Sequence, residues 1–303
     1  MGDQRELHSR IWWKSHWLNL KDVDKDRWAL AVVKNAPLAH NKFLDYFHRR
    51  TVLRAVKHVG SLVGKCILDV GCGTGRWTSI WSKHGSRVVG IDISDHSLLA
   101  NKKQSVETDG TCYGTMLVEN LAFRQSSFDM VTSITVLQHI PYGQQKQAIR
   151  EIVASVKPGG WILIHENVRK YSNRGKLQTS LTFPHSPSGW VQMFRDENCE
   201  VRFVERSPLM PLFHIYWSMR HGLKKAYKQK LAVNQSKENC LETRQLHAKR
   251  NGLFDRFNFV AYWFITWPSW VIEFICNVLT KTNIWTKQTI VGSHQTFLFQ
   301  KKR

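Results

Sequence analysis

The chain has 303 residues, 42% of them apolar and 22% charged, which excludes a disordered or fibrous protein and provides for one large core or one core with an appendage. Its net charge of +21 and pI of about 9.9 exclude an acidic surface and point either to polyanionic partners, nucleic acid or an anionic membrane leaflet, or to solvated Lys/Arg on helix faces. The six cysteines show neither a Cys-x-x-Cys pair nor a Cys/His metal spacing, so they read as reduced thiols of a cytosolic protein with no metal site.

The N-terminal stretch MGDQRELHSR lacks an apolar run and does not read as a secretory signal. Residues 1–42 form an arm in which Trp12, Trp13, Trp17 and Trp28 stand among charges. Residues 43–60 carry apolar side chains at helical spacing and stop at Gly60. Strand and helix signals then alternate. CILDV (66–70) is a strand, the run from Arg76 a helix ended by Gly85, RVVGIDI a strand, and a helix follows with Ser94 as N-cap. YGTMLV and FDMVTSIT are strands, YGQQKQAIREIVASV is a helix, PGG a turn and WILIHENV a strand. A helix over 186–199 leads to the strand EVRFVE. The repeat predicts an α/β fold, a doubly wound, mostly parallel sheet with helices on both faces.

The pattern changes after residue 206. Residues 207–290 read as a helical insert with two basic and apolar helices, at 209–233 and 253–280. Residues 291–303 form a last, antiparallel core strand, placed at the sheet edge beside the sixth. From residue 201 onward there are 17 Lys/Arg against 5 Asp/Glu.

Three glycines at alternate positions, Gly71, Gly73 and Gly75, follow the first strand directly. Such a turn lets backbone approach a bound molecule; a plain structural turn is the alternative. A dinucleotide fingerprint needs Gly or Ala at its sixth position, where this chain has Arg76, and this disfavours a nicotinamide-dependent oxidoreductase. Asp92 ends the second strand 21 residues after Gly71, where a carboxylate accepts from ribose hydroxyls.

The stretches ILDVGCGTG, VVGIDIS, SFDMVTSITVLQHI and VKPGGWILI, in this order, resemble the successive motifs of class I S-adenosylmethionine-dependent methyltransferases, nearest the group that includes the quinone-biosynthesis enzymes. The resemblance covers about residues 45–206 and the terminal strand. It implies a seven-stranded Rossmann-like core over 43–206 and S-adenosylmethionine as cofactor. It also implies that Gly71, Cys72, Gly73 and Gly75 lie against the ligand. Asp69 would support the turn and the ligand ammonium, Asp92 the ribose and Ile93 the adenine. Ile134 would touch the methionine portion, and Arg50, in preference to Arg49, would pair with the carboxylate. Relatives place an Asp after the third strand for the adenine amino group; here that place is Leu117, which leaves a backbone carbonyl, Glu119 or Asn120.

Methyl transfer needs alignment, exclusion of water and sometimes a base. The ends of strands four and five offer Gln138 and His139, and His165 and Glu166. His165 resembles an active-site histidine of the cyclopropane-lipid synthases, although their Glu near the place of Gln138 is missing here, and its ordinary pKa suits a general base; a structural histidine at a strand end, hydrogen-bonded to a loop, is the alternative. His139 is the second candidate, with shaping of the pocket as its alternative role. Residues 167–187, with Tyr171, Arg174 and His185, would cover the site.

The reading that follows is a cytoplasmic methyltransferase, peripheral on the membrane, acting on a small-molecule or lipid-linked acceptor. Residues 257–272 carry no charge, are interrupted by Pro268 and are too short to span a bilayer. Trp263, Trp267 and Trp270 suit the headgroup interface, with Arg220, Lys224, Lys225, Lys228 and Arg256 nearby in sequence. Packing of this run as a lid or dimer face is the alternative. Two other functions compete: an RNA methyltransferase, favoured by charge but lacking an Asn/Asp-Pro-Pro-aromatic motif after strand four, and a non-catalytic cofactor-binding partner subunit.

Overall fold

The computed structural model describes residues 38–95, 97–98, 110–168, 182–206 and 293–303. The tryptophan arm, the 207–290 insert with its aromatic run, Tyr171 and Arg174, and most of the helix after Ser94 lie outside them. The described residues group into two compact units: Leu38–Phe47, the first half of helix α1 (Leu38–Val56), belongs to one and all the others to the second.

The second unit is built on seven strands: β1 (Cys66–Val70), β2 (Arg87–Asp92), β3 (Thr111–Thr115), β4 (Phe128–Ile134), β5 (Val156–Val168), β6 (Cys199–Arg206) and β7 (Ser293–Lys301). Helices α2 (Arg76–Lys83), α3 (Tyr142–Ser155) and α4 (Pro187–Asp196) connect them, with a 3-10 turn at Leu137–His139. The order is β3-β2-β1-β4-β5-β7-β6. β1 to β5 pair in parallel, and β7 is antiparallel to both β5 and β6.

Sequence alone put the last strand at the edge. Instead it fills the gap between β5 and β6, and β6 is the edge. The sequence of β7 carries the reason. Phe297, Leu298 and Phe299 are all fully buried, so both faces of this strand are covered, as in a central strand. β3 is also shorter than expected. It stops at Thr115, and Leu117 to Asn120 form a turn closed by the Asn120 N–H on the Leu117 carbonyl (3.1 Å). The expected turn at 158–160 is drawn into β5 as an irregularity, with Gly159 at φ 74.

The alternation of buried residues along the strands divides the core into two faces. On one, Val52 and Ala55 of α1 and Trp77, Ile80 and Trp81 of α2 pack on Ile67, Met130, Ile134, Leu163 and Leu298. On the other, Ile149 and Ile152 of α3 and Trp190 and Phe194 of α4 pack on Leu68, Val131, Ile162, Ile164, Phe297 and Phe299. Ser186 caps α4 by accepting from the Gly189 N–H (3.0 Å), with Pro187 at the first helical position. The strand order reverses at β1, so the carboxyl ends of β1 and β4 open a crevice.

Candidate active site

The glycine turn at that crevice is built on positive backbone angles: φ is 65 at Gly71, 53 at Gly73 and 79 at Gly75. Gly71 is further constrained because a β-carbon there would run into the Val136 side chain. At Gly73 nothing lies within 4 Å of a β-carbon position, so the turn leaves open space beside its backbone. Cys72, buried between these glycines, donates its N–H to the Ile91 carbonyl (2.9 Å) and ties the turn to β2. Burial, then Asp69 and Asp92, raise its thiol pKa well above the usual value, so it stays an uncharged packing group.

Asp92 Oδ2 accepts the Gly73 N–H (2.9 Å) and Oδ1 the Ser94 N–H (2.8 Å), and the Ile93 N–H acts on it as well. Burial raises its pKa and these donors pull it back. A carboxylate has about four acceptor positions, so Asp92 both fixes the turn and keeps capacity for a ribose hydroxyl. Asp69 faces the other way. Its oxygens accept from Thr78 (2.6 Å) and Thr132 (2.9 Å), joining α2 and β4 beneath the turn, and burial raises its pKa to about 6. Ile93 is partly buried at the bend after β2, and Ile134 is buried at the end of β4. Arg50 is partly buried on α1, and its charge acts on Glu205 of β6, which Arg54 pairs at 2.9 Å. The cation whose charge reaches Asp69 is Arg76. These residues fit S-adenosylmethionine: an open backbone cradle, an oriented carboxylate and apolar residues at the strand ends.

Beside this turn lies a group that sequence reading found only in part. His165 of β5, His48 of α1 and His294 of β7 are in mutual ring contact, with centroids 4.4 Å apart for His48–His165, 4.9 Å for His48–His294 and 5.4 Å for His165–His294. His48 and His165 are buried and His294 is partly exposed. His165 shares a hydrogen bond between Nδ1 and Thr296 Oγ1 (2.8 Å). Burial is the first cause of low pKa in all three and Arg76 adds to it, with the neighbouring imidazoles adding further for His48 and His165; His48 and His165 fall well below 6.5 and His294 to about 4. The expectation that His165 titrates near neutrality is therefore corrected: these imidazoles are neutral throughout the physiological range. His48 and His294 carried no motif, and only strand register and the packing of α1 bring them to His165.

Of the remaining candidates, Glu166 and Gln138 bind backbone groups and His139 and His185 bind side chains. Glu166, fully buried on the opposite face, accepts the N–H groups of Val136 (3.2 Å), Leu137 (3.0 Å) and Gln138 (3.1 Å). Burial pushes its pKa up to about 8 against the pull of these donors. Gln138 accepts the Asn167 N–H (2.7 Å) at its side chain and the Phe183 N–H (2.6 Å) at its carbonyl. His139 is partly buried on the 3-10 turn, its Nε2 against Gln138 Nε2 (3.2 Å). His185 meets Gln145 of α3 instead of the histidine group.

Residues 68–164 match the family described as a methyltransferase domain. The chain is 33% identical over 158 residues to a ubiquinone biosynthesis O-methyltransferase of Idiomarina loihiensis, covering 50% of this chain and 61% of that protein. It is 37% identical over 105 residues to the enzyme of the same description from Bordetella avium, covering 34% and 43%. The chain thus spans about half the length of these relatives. Among solved structures, magnesium protoporphyrin IX methyltransferase of Synechocystis with bound SAM superposes with a TM-score of 0.52 at 16% identity, covering 66% of this chain and 90% of that one. The [4+2]-cyclase SpnF gives 0.53 at 18%, covering 84% and 80%. Fold, glycine turn and family match together define a domain of the class I S-adenosylmethionine-dependent methyltransferase type around residues 68–164.

Proposed function

We propose that the chain transfers a methyl group from S-adenosylmethionine to a hydroxyl of a small-molecule or lipid-linked acceptor. The observation that carries this is the Gly73–Asp92 unit, in which a backbone cradle and an oriented carboxylate meet at the crevice. The choice of oxygen rests on the relatives, which are described as O-methyltransferases. Gly71, Cys72, Gly73, Gly75, Asp92, Ile93 and Ile134 hold the cofactor in this reading, and Asp69 acts from beneath. Arg76 joins Arg50 as a basic residue for the cofactor carboxylate. His139 shapes the acceptor side. The bound cofactor supplies the activated methyl group; the protein supplies alignment and a dry site.

We further propose that the reaction takes place at a membrane surface, through the uncharged aromatic run 257–272 and its basic neighbours. Among the described residues no helix is long and apolar enough to cross a bilayer. Two measurements test these readings. Methyl-labelled cofactor is supplied with fractionated extract, and label is expected in the lipid or small-molecule fraction; label in RNA overturns the acceptor class. Cosedimentation with anionic liposomes is expected to weaken with salt and with Trp267→Ala plus Trp270→Ala. Protein left in the supernatant at low salt overturns membrane contact.

A further inference from the structure

We propose that His294 is the general base toward the acceptor hydroxyl, and that the buried His48 and His165 behind it are positioning residues: His48 receives the inner N–H of the imidazolium it becomes, and His165 stacks on its ring. The assignment rests on the O-methyl reading above and names the protein group that completes it.

Geometry carries the argument. His294 pairs with Asn167 and Thr296 with His165 across the β5–β7 ladder, so His294 stands two residues farther toward the open carboxyl end of β5 than His165 does. It is the one member of the three that is partly exposed. An acceptor over the crevice therefore meets His294 first. Its Nδ1 is buried and has no hydrogen-bond partner among the described residues, and the same holds for both nitrogens of His48 and for Nε2 of His165. Buried polar atoms in native proteins are almost always paired. Four unpaired imidazole nitrogens in one ring cluster mark a site arranged for a proton that arrives during the reaction.

A metal does not explain the cluster. An imidazole binds a metal in its own ring plane, and the planes of His165 and His294 lie 6° apart in a stack, so they share no point in front of both. Among the described residues no His, Cys, Asp or Glu group is arranged to hold one.

The step balances on the protein side. The acceptor O–H bond breaks with its electron pair left on oxygen for the incoming methyl group, and the proton binds the outer nitrogen of His294. The inner N–H then donates to an unpaired nitrogen of His48, whose ring is tilted 54° to that of His294, while His165 stacks on the ring face. Groups on every packed element keep the resting cluster neutral: His48 from α1, Arg76 from the start of α2, His165 and Thr296 from the strands, with Asp69 of β1 bearing on Arg76. Of the three, His294 is held least far from its ordinary pKa, by burial and Arg76 alone, which places the added proton on it.

The test uses the full chain, wild type and the variants His294→Gln and His48→Phe, with pyrogallol as hydroxyl probe. Wild-type turnover is expected to be flat from pH 8 down to about 5, because the base stays neutral. His294→Gln is expected to lose about 10²–10⁴-fold, to regain rate as pH rises and the probe ionises by itself, and to be partly restored by added imidazole. S-adenosylhomocysteine affinity by calorimetry stays within twofold of wild type. Independently of activity, 15N spectra of labelled histidine are expected to show His294 neutral to below pH 5, and His48 and His165 neutral well below the ordinary histidine range. In His48→Phe the proton on His294 loses a partner, and its titration moves to still lower pH. Wild-type transfer matched by His294→Gln overturns the assignment and leaves O-methyl transfer standing, as does titration of all three rings near 6.5. Cofactor binding without transfer to any hydroxyl overturns the O-methyl reading and this assignment with it.

Discussion

Two adjacent side chains of β5, His165 and Glu166, meet burial in opposite ways on the two faces of the sheet. On the α3/α4 face, Glu166 takes three backbone N–H groups and Gln138 and Gln145 bind carbonyls or N–H groups of neighbouring loops. On the α1/α2 face, one residue earlier along β5, the His165 ring and its two companions leave four nitrogens unpaired. Leaving a buried polar atom unpaired costs about 1–3 kcal/mol, so the second arrangement does not persist for stability. A satisfied network fixes a loop; an unsatisfied one waits for a ligand or a proton. His165 and Glu166 are adjacent in sequence and both looked catalytic. The pleat sends them to opposite faces and separates their roles.

The largest effect should come from breaking the satisfied side. Glu166→Ala leaves the N–H groups of Val136, Leu137 and Gln138 without an acceptor in a dry core, and should cost roughly 3–5 kcal/mol of stability. Thermal unfolding and cofactor calorimetry separate this from catalysis. A variant as stable as wild type but inactive would return Glu166 to the chemistry. Next is Asp92→Ala, which removes the acceptor for Gly73 and the proposed acceptor for the ribose. Loss of a charged hydrogen bond of about 1.5–3 kcal/mol weakens the cofactor complex tenfold to more than a hundredfold. Equal affinities in calorimetry would remove Asp92 from the cofactor site.

The unsatisfied side can be tested through acid stability. The folded-state pKa of His294 is depressed to about 4 from 6.5. Its contribution is therefore whole above pH 6.5 and is lost as pH falls toward 4, because the unfolded chain binds the proton first. Asp69 and Glu166, raised to about 6 and about 8, act in the opposite direction in wild type and variant alike. The difference between wild type and His294→Gln isolates the histidine. Between pH 7 and pH 5 the wild type should lose about 2 kcal/mol more than the variant. Parallel denaturation curves at the two pH values would show that His294 is protonated or well solvated in the folded state.

The sequence made legible whatever short-range pattern determines. The glycine turn, Asp92 at the end of β2 and the alternation of strands and helices are local signals, and the strand ends lie where those signals put them, except at β3 and at 156–160. The site was half legible for the same reason. His165 sits in a motif; His48 lies in a helix without one, and His294 opens a strand after a long detour. Only the insertion of β7 between β5 and β6 brings it beside His165, and the placement of β7 at the edge hid that register. Arg76 was read as a departure from a dinucleotide fingerprint, and its charge on Asp69 and the histidines appears only once α2 is folded against them.

The smallest effect concerns the hinge between the two faces. Thr135, directly after β4, has φ 61, with its N–H on the His165 carbonyl (2.7 Å) and its hydroxyl on the Ile134 carbonyl (2.6 Å). A β-branched residue in the left-handed region is strained by about 1–3 kcal/mol. Asparagine tolerates this region without the unfolded-state entropy of glycine, while its backbone N–H keeps the bond to His165. Thr135→Asn gives up the hydroxyl bond, worth about 1 kcal/mol, and recovers more than that in strain, for a net gain of about 0.5–1 kcal/mol. Differential scanning calorimetry should show a Tm rise of about 1–4 °C. Turnover decides what the strain is for. If the strain only tolerates a threonine, activity is unchanged; if it aims the His165 strand end at the cluster, the more stable variant is slower, and the pH dependence of its rate moves together with the histidine titrations.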